Sequence, residues 1–197
     1  MLPTLLTTLI LMGVVKCQSI TGTENPFSHP LYSMKDSEVK NRYEDFLNGF
    51  DSLCMSTVDN EGWPLISYAP FVVDDNRSFY VFLSDLAKHT SYLRKSEKAS
   101  VMFIEDEKAT TQIFARTRVI FQCDAIEMTR SSKSAERMLS KMEDRFGELL
   151  ITLRSLSDFH LFRLSPKNGN FVMGFGQAYS ISGKRMEILN HVKIEKK

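Results

Sequence analysis

The residues best suited to chemistry gather toward the end of the chain. A carboxylate, Asp158, opens a strand-like run, DFHLFRL, over residues 158–164. A glycine-broken run, FVMGFGQAYSISG, covers residues 171–183, and an imidazole, His191, sits in the basic tail beyond it. Gly174 and Gly176 share one face of the strand expected there, and glycine inside a strand often marks a bend or the close approach of a ligand or another backbone. A carboxylate, an open glycine face and a tail imidazole are parts that a flat ligand or a metal could use, and packing alone also accounts for each. Asp158 reads either as a turn or cap residue or as an acceptor that raises the basicity of a ligating imidazole. His191 reads either as a solvated tail residue or as a mobile ligand closing over a metal cofactor.

Arg116 and Arg118 share a face of a predicted strand, since strand side chains repeat every two residues. Two guanidinium groups among Phe114, Val119, Ile120 and Phe121 need anions or water. They suit phosphates, propionates or an oxygen ligand, or they pair with carboxylates of a neighbouring strand. His89 is a polar group at a pocket rim or a surface histidine, and His160 a solvent or interface histidine. The ten methionines fall mostly on apolar faces and read as core. No GxGxxG follows a strand, and no Walker loop, GxSxG elbow or HExxH pair occurs, which disfavours nucleotide enzymes and hydrolases of those kinds.

Positioning these groups falls to a mixed set of elements. Val39, Tyr43, Phe46, Leu47 and Phe50 recur at spacings of three and four and predict a helix over residues 37–48. Two apolar runs joined by Asp59-Asn60-Glu61-Gly62 predict a hairpin, and residues 74–77 turn the chain into a third strand, completing a meander. A short helix over 86–96, a strand over 99–105 and a long strand over 112–128 follow. A second helical region spans 134–153, with Gly147 placed to divide it. The closing strands are predicted over 158–164 and 171–180, joined by a turn, SPKNGN, at 165–170. Long curled strands joined by hairpins, without βαβ alternation, predict an α+β protein: an antiparallel barrel of about six strands with flanking helices.

Composition sets the remaining bounds. The 197 residues suit one compact domain, and a net charge of +1 carries no field that favours nucleic acid. Three cysteines without close spacing argue against a zinc knuckle, a CxxC redox site or a disulfide framework. Residues 1–35 read as an apolar segment and linker, 36–183 as the barrel domain and 184–197 as a basic tail. The apolar stretch at 2–15 is too short to span a bilayer. No basic residue precedes it and Lys16 sits poorly before a cleavage cysteine, so a cytoplasmic protein is expected, with export as the rival.

Seven motifs in order carry a resemblance: CMSTVDNEGWPLISYAPFV (54–72), FYVFLSDLAKHTSYLR (79–94), VMFIEDE (101–107), FARTRV (114–119), RFGE (145–148), DFHLFRLSP (158–166) and FVMGFGQAYSISG (171–183). The chain resembles the HugZ-type haem-utilisation proteins, relatives of the pyridoxamine 5′-phosphate oxidases with the FMN-binding split-barrel fold. The resemblance covers residues 38–183. It implies a homodimer with cofactor sites between the subunits, which binds haem and degrades it with dioxygen and electrons to release iron. It implies that a histidine near the C-terminus is the axial ligand of the metal, here His191, and that the aspartate of the DFxLFRL motif, here Asp158, supports it. The arginines of FARxR, here Arg116 and Arg118, lie by the haem pocket, and the histidine of LAxHT is His89. Electrons must come from a separate reductase, because the chain has no nicotinamide site. Two rival readings share the barrel: an FMN-dependent oxidoreductase with the phosphate held by Lys88, Arg94 and Arg116, and a haem carrier without catalysis.

Overall fold

A computed structural model describes residues 34–193, so the readings that concern residues 1–33 lie outside the described residues. The elements run α1 (Asp36–Asn48), β1 (Ser52–Val58), β2 (Pro64–Val73), β3 (Phe79–Ser84), α2 (Lys88–Ser96), β4 (Lys98–Ile104), β5 (Arg118–Glu127), α3 (Lys133–Phe146), α4 (Glu148–Ser155), β6 (Phe159–Val172), β7 (Ala178–Ser182) and β8 (Ile188–His191). The sheet order is β3-β2-β1-β4-β5-β6-β7-β8, and β3 also pairs with β6. That extra pairing closes β1 to β6 into an antiparallel barrel and leaves β7 and β8 as an extension, so the α+β split-barrel expectation holds.

Alternation builds the barrel interior. Leu53, Met55 and Thr57 of β1, Ala99, Val101 and Phe103 of β4, and Val119, Phe121, Cys123 and Ala125 of β5 point inward and are buried. Phe71, Phe79, Phe103 and Phe121 meet there with ring centroids 5.4–5.6 Å apart, the offset spacing that aromatic pairs prefer. Helix α1 adds Val39, Tyr43 and Leu47 to this core. A second cluster lies outside the barrel wall, where Ala135, Met138, Leu139 and Met142 of α3 and Leu150 of α4 pack on Val72, Tyr80, Phe82 and Leu161. This second layer explains why β3 is buried on both faces, from Phe79 through Leu83. Gly147, with φ 77°, divides α3 from α4 as the sequence predicts.

The strands of the second half depart from the prediction. Residues 165–170 are not a turn: β6 runs unbroken from Phe159 to Val172, pairing with β5 along one side. Pro166 is accommodated because the register shifts between Gln122 and Cys123, opposite it. The chain turns instead at Gly174–Gln177, where the Gln177 amide donates to Gly174 O (3.2 Å) and the Met173 amide to Gln177 O (3.1 Å). Gly174 and Gly176 therefore belong to a hairpin turn and not to a strand face, and Gly176 takes a left-handed φ of 67°. Strand β5 starts at Arg118, later than predicted, because a 3-10 turn at Ile113–Ala115 precedes it. Residues 188–191, read as tail, form β8 against β7.

Candidate functional site

The barrel fold spreads the candidate residues over two regions. Asp158 directly precedes β6. Its Oδ2 accepts a hydrogen bond from Ser84 Oγ at 2.7 Å, and its carbonyl accepts from the Asp85 amide at 2.8 Å. His89 sits in the first turn of α2, half-buried, and burial pushes its imidazole below the usual value, toward the neutral form. Asp158 and the start of α2 are tied through one hydroxyl-bearing turn: Thr90 Oγ1 donates to Ser84 O at 2.6 Å, and Ser84 in turn donates to Asp158.

His191 ends β8, exposed, beside the glycine turn. Its Nε2 donates to Gly176 O at 2.8 Å, and its ring meets Tyr179 edge-on with centroids 5.2 Å apart. Since a carbonyl only accepts, Nε2 carries the proton, and in the neutral ring the lone pair is on Nδ1. β8 pairs with β7, and β7 pairs with the last residues of β6, 169–172. Asp158 and His191 therefore lie toward opposite ends of the 14-residue β6, and the structure does not bring them together within one protomer.

Arg116 and Arg118 flank the start of β5. Arg116 Nε donates to Glu105 O at 3.0 Å, its Nη2 also reaches that carbonyl, and its Nη1 pairs with Glu107 at 2.9 Å. Arg116 thereby borders a cleft of about 530 Å³ lined also by Phe50, Glu105, Asp106 and Lys108. Arg118 Nη1 donates to Arg116 O at 3.0 Å, so its guanidinium uses one corner on the loop. The expectation of a shared strand face gives way to a turn residue followed by a strand residue.

Sequence reading passed over three features. A groove of about 500 Å³ crosses the outer sheet face and is lined by Ser56, Lys98, Ser100, Gln122, Lys167 and Asn168. An apolar cavity of about 430 Å³ lies between the helical pair and the barrel, lined by Phe82, Met142, Phe146, Leu150, Leu153 and Phe159. A network of Asp85, Arg94, Glu127 and His160 adjoins the turn before α2. Only the last had a sequence signal: His160 alternates with Asp158 along the same strand edge. Its partners come from three other segments and leave no local pattern.

Comparison with known proteins places this geometry in a family. The pyridoxamine 5′-phosphate oxidase family model matches residues 39–173. The protein named heme oxygenase HutZ, from Vibrio cholerae, is 38% identical over 166 residues, covering 82% of this chain and 93% of that protein. The crystal structure of HutZ, described as a heme storage protein from Vibrio cholerae, superposes with a TM-score of 0.65 at 35% identity, covering 68% of this chain and 96% of that one. Campylobacter jejuni ChuZ superposes with a TM-score of 0.71 at 28% identity, over 81% of this chain and 64% of that one. Matched through its barrel strands by sequence and by fold alike, the chain belongs to the pyridoxamine 5′-phosphate oxidase family, in its HugZ-type branch.

Proposed function

We propose that this protein binds haem and opens its porphyrin ring with dioxygen and electrons, releasing the iron. The observation that supports this most is the 38% identity to heme oxygenase HutZ across 82% of the chain. Bound haem supplies the iron at which dioxygen is activated, and electrons arrive from a separate reductase. His191 is the iron ligand: the Gly176 carbonyl fixes its proton on Nε2, and Nδ1 of an exposed ring offers the lone pair. Arg118 turns the rest of its guanidinium fork to an anionic group such as a propionate, while Arg116, held by Glu105 and Glu107, sets the loop from which Arg118 projects. His89, its imidazole pushed toward the neutral form by burial, lends a polar group at the start of α2, which Thr90 and Ser84 tie to Asp158. Asp158 supports His191 from the other protomer of a homodimer, since one protomer keeps them apart.

Among the described residues no helix is long and apolar enough to cross a membrane.

Titrating the purified protein with haemin tests the function. A Soret band with ferric-imidazole features is expected, followed by its loss with ascorbate in air. A band that persists with ascorbate and air makes the protein a carrier. A yellow preparation that ignores haemin makes it a flavoprotein. In His191→Ala we expect haem affinity to fall at least about tenfold and turnover to vanish; spectra and rates like those of the unmodified protein remove His191 as ligand.

A further inference from the structure

A closed circuit of charged side chains adjoins the turn between β3 and α2. Asp85 Oδ2 lies 2.8 Å from His160 Nε2, and Glu127 Oε1 lies 2.7 Å from His160 Nδ1. Arg94 completes the circuit, with Nε on Glu127 Oε2 at 2.6 Å and both terminal nitrogens on Asp85 Oδ1 at 3.1 and 3.2 Å. An ionised carboxylate only accepts, so His160 Nε2 donates the hydrogen bond to Asp85, while Nδ1 meets Glu127 as a close charge contact. The Arg94 guanidinium, above all, holds the Glu127 carboxyl below its usual range, and the hydrogen bond from His160 does the same for Asp85.

The four members come from four segments: the β3–α2 turn, α2, β5 and β6. Asp85 ties the circuit to the turn that carries the candidate site. The Asp85 amide donates to Asp158 O, Ser84 Oγ donates to the Asp158 carboxylate, the Leu86 amide donates to Ser84 Oγ at 3.1 Å, and Thr90 Oγ1 donates to Ser84 O. An exposed ion pair taken singly contributes little. A circuit in which each member is restrained by two others fixes geometry, and coupled networks exceed the sum of their pairs. We infer that His160 is a positioning residue: clamped between Asp85 and Glu127, it braces the β3–α2 turn so that His89 and Asp158 hold a fixed relation to each other and to haem. The role assigned toward haem rests on the haem-degrading reading; the brace itself does not.

The test uses the full chain with His160→Gln. Hydrogen exchange at the amides of Asp85, Ala87 and Thr90 should quicken about tenfold or more while β1 and β4 amides keep their rates. Haem turnover should lose about tenfold in kcat with haem affinity within about twofold of the unmodified protein, and adding Asp158→Asn should cost no more than Asp158→Asn alone. Unchanged exchange at the turn overturns the brace, as does a kcat loss that multiplies fully with Asp158→Asn. If His160→Gln does not fold, Glu127→Gln, which keeps the side-chain size and removes one arm of the clamp, is read by the same exchange measurement. If the unmodified protein leaves haem intact, the haem-degrading reading fails, and the exchange result alone still decides the brace.

Discussion

A β-carbon on Gly169 would stand 2.6 Å from Phe121 Cδ1 and 2.7 Å from the Ile120 carbonyl oxygen, both closer than real contacts allow. Gly169 is present because β6 and β5 approach closely over the Phe121 ring, which also explains how a glycine sits inside a strand without ending it. Gly169→Ala should destabilise the fold by about 1–3 kcal/mol, the usual cost of overpacking; a urea midpoint equal to that of the unmodified protein refutes the close approach. Cys123 makes the opposite kind of prediction. Burial pushes its thiol up to about 12, so it stays protonated near neutral pH, and a buried thiol is a poor nucleophile. Iodoacetamide at pH 8 should leave Cys123 unlabelled in the folded protein and label it in urea. Single residues were the least legible part of the sequence. Histidine and arginine identities mark what chemistry is available, but whether Asp158 faces His191 or Ser84 depends on which ends of β6 they occupy. No local pattern encodes that.

At the scale of elements, period and punctuation carried most of the information. The three-four spacing of α1 and the glycine between α3 and α4 are local signals, and both elements form where they predict. SPKNGN misled because proline, asparagine and glycine usually turn a chain. Here the tertiary pairing with β5 overrides that preference: the register shift takes up Pro166, and the space over Phe121 admits only Gly169. Strand β8 had no signal of its own, since a four-residue strand exists only through its pairing with β7. The charged ring that joins α2, β5 and β6 makes a pH prediction. Asp85 and Glu127 have carboxyls held low in the folded state, so their contribution is fully present above the unfolded carboxylate value of about 4. It is lost as pH falls through the depressed folded values. Amide protection of the β3–α2 turn, corrected for intrinsic rates, should therefore decline on acidification from pH 5 toward pH 3. In Glu127→Gln part of that decline should disappear; a variant with the full decline shows that Glu127 is not part of the coupling.

At the scale of the whole molecule, the outer face of the barrel is the feature a lone protomer leaves unexplained. Register places Tyr68, Cys54, Met102 and Ile120 side by side across β2, β1, β4 and β5, and Ile66 beside Ser56 one step along. Ile66 is 76% exposed and Tyr68 72%, with Trp63 open at the same end of β2. Soluble monomers rarely show an apolar band of this kind, and such a band marks a contact surface. A second copy is the occupant that the proposed site calls for, because Asp158 and His191 lie apart within one protomer and the proposed support would pass between protomers. A stable pair buries about 800 Å² on each partner, so one charge at the centre of the band should suffice to separate the copies. Ile66→Asp places a carboxylate there without touching the barrel interior, because Ile66 points outward. Light scattering should report a dimer for the unmodified chain at micromolar concentration and a monomer for Ile66→Asp, with circular dichroism unchanged. If the proposed site is shared between protomers, the monomer should also lose the Soret band. A monomeric unmodified chain, or an Ile66→Asp monomer that still binds haem tightly, sets the site within a single subunit and removes the inter-protomer role of Asp158.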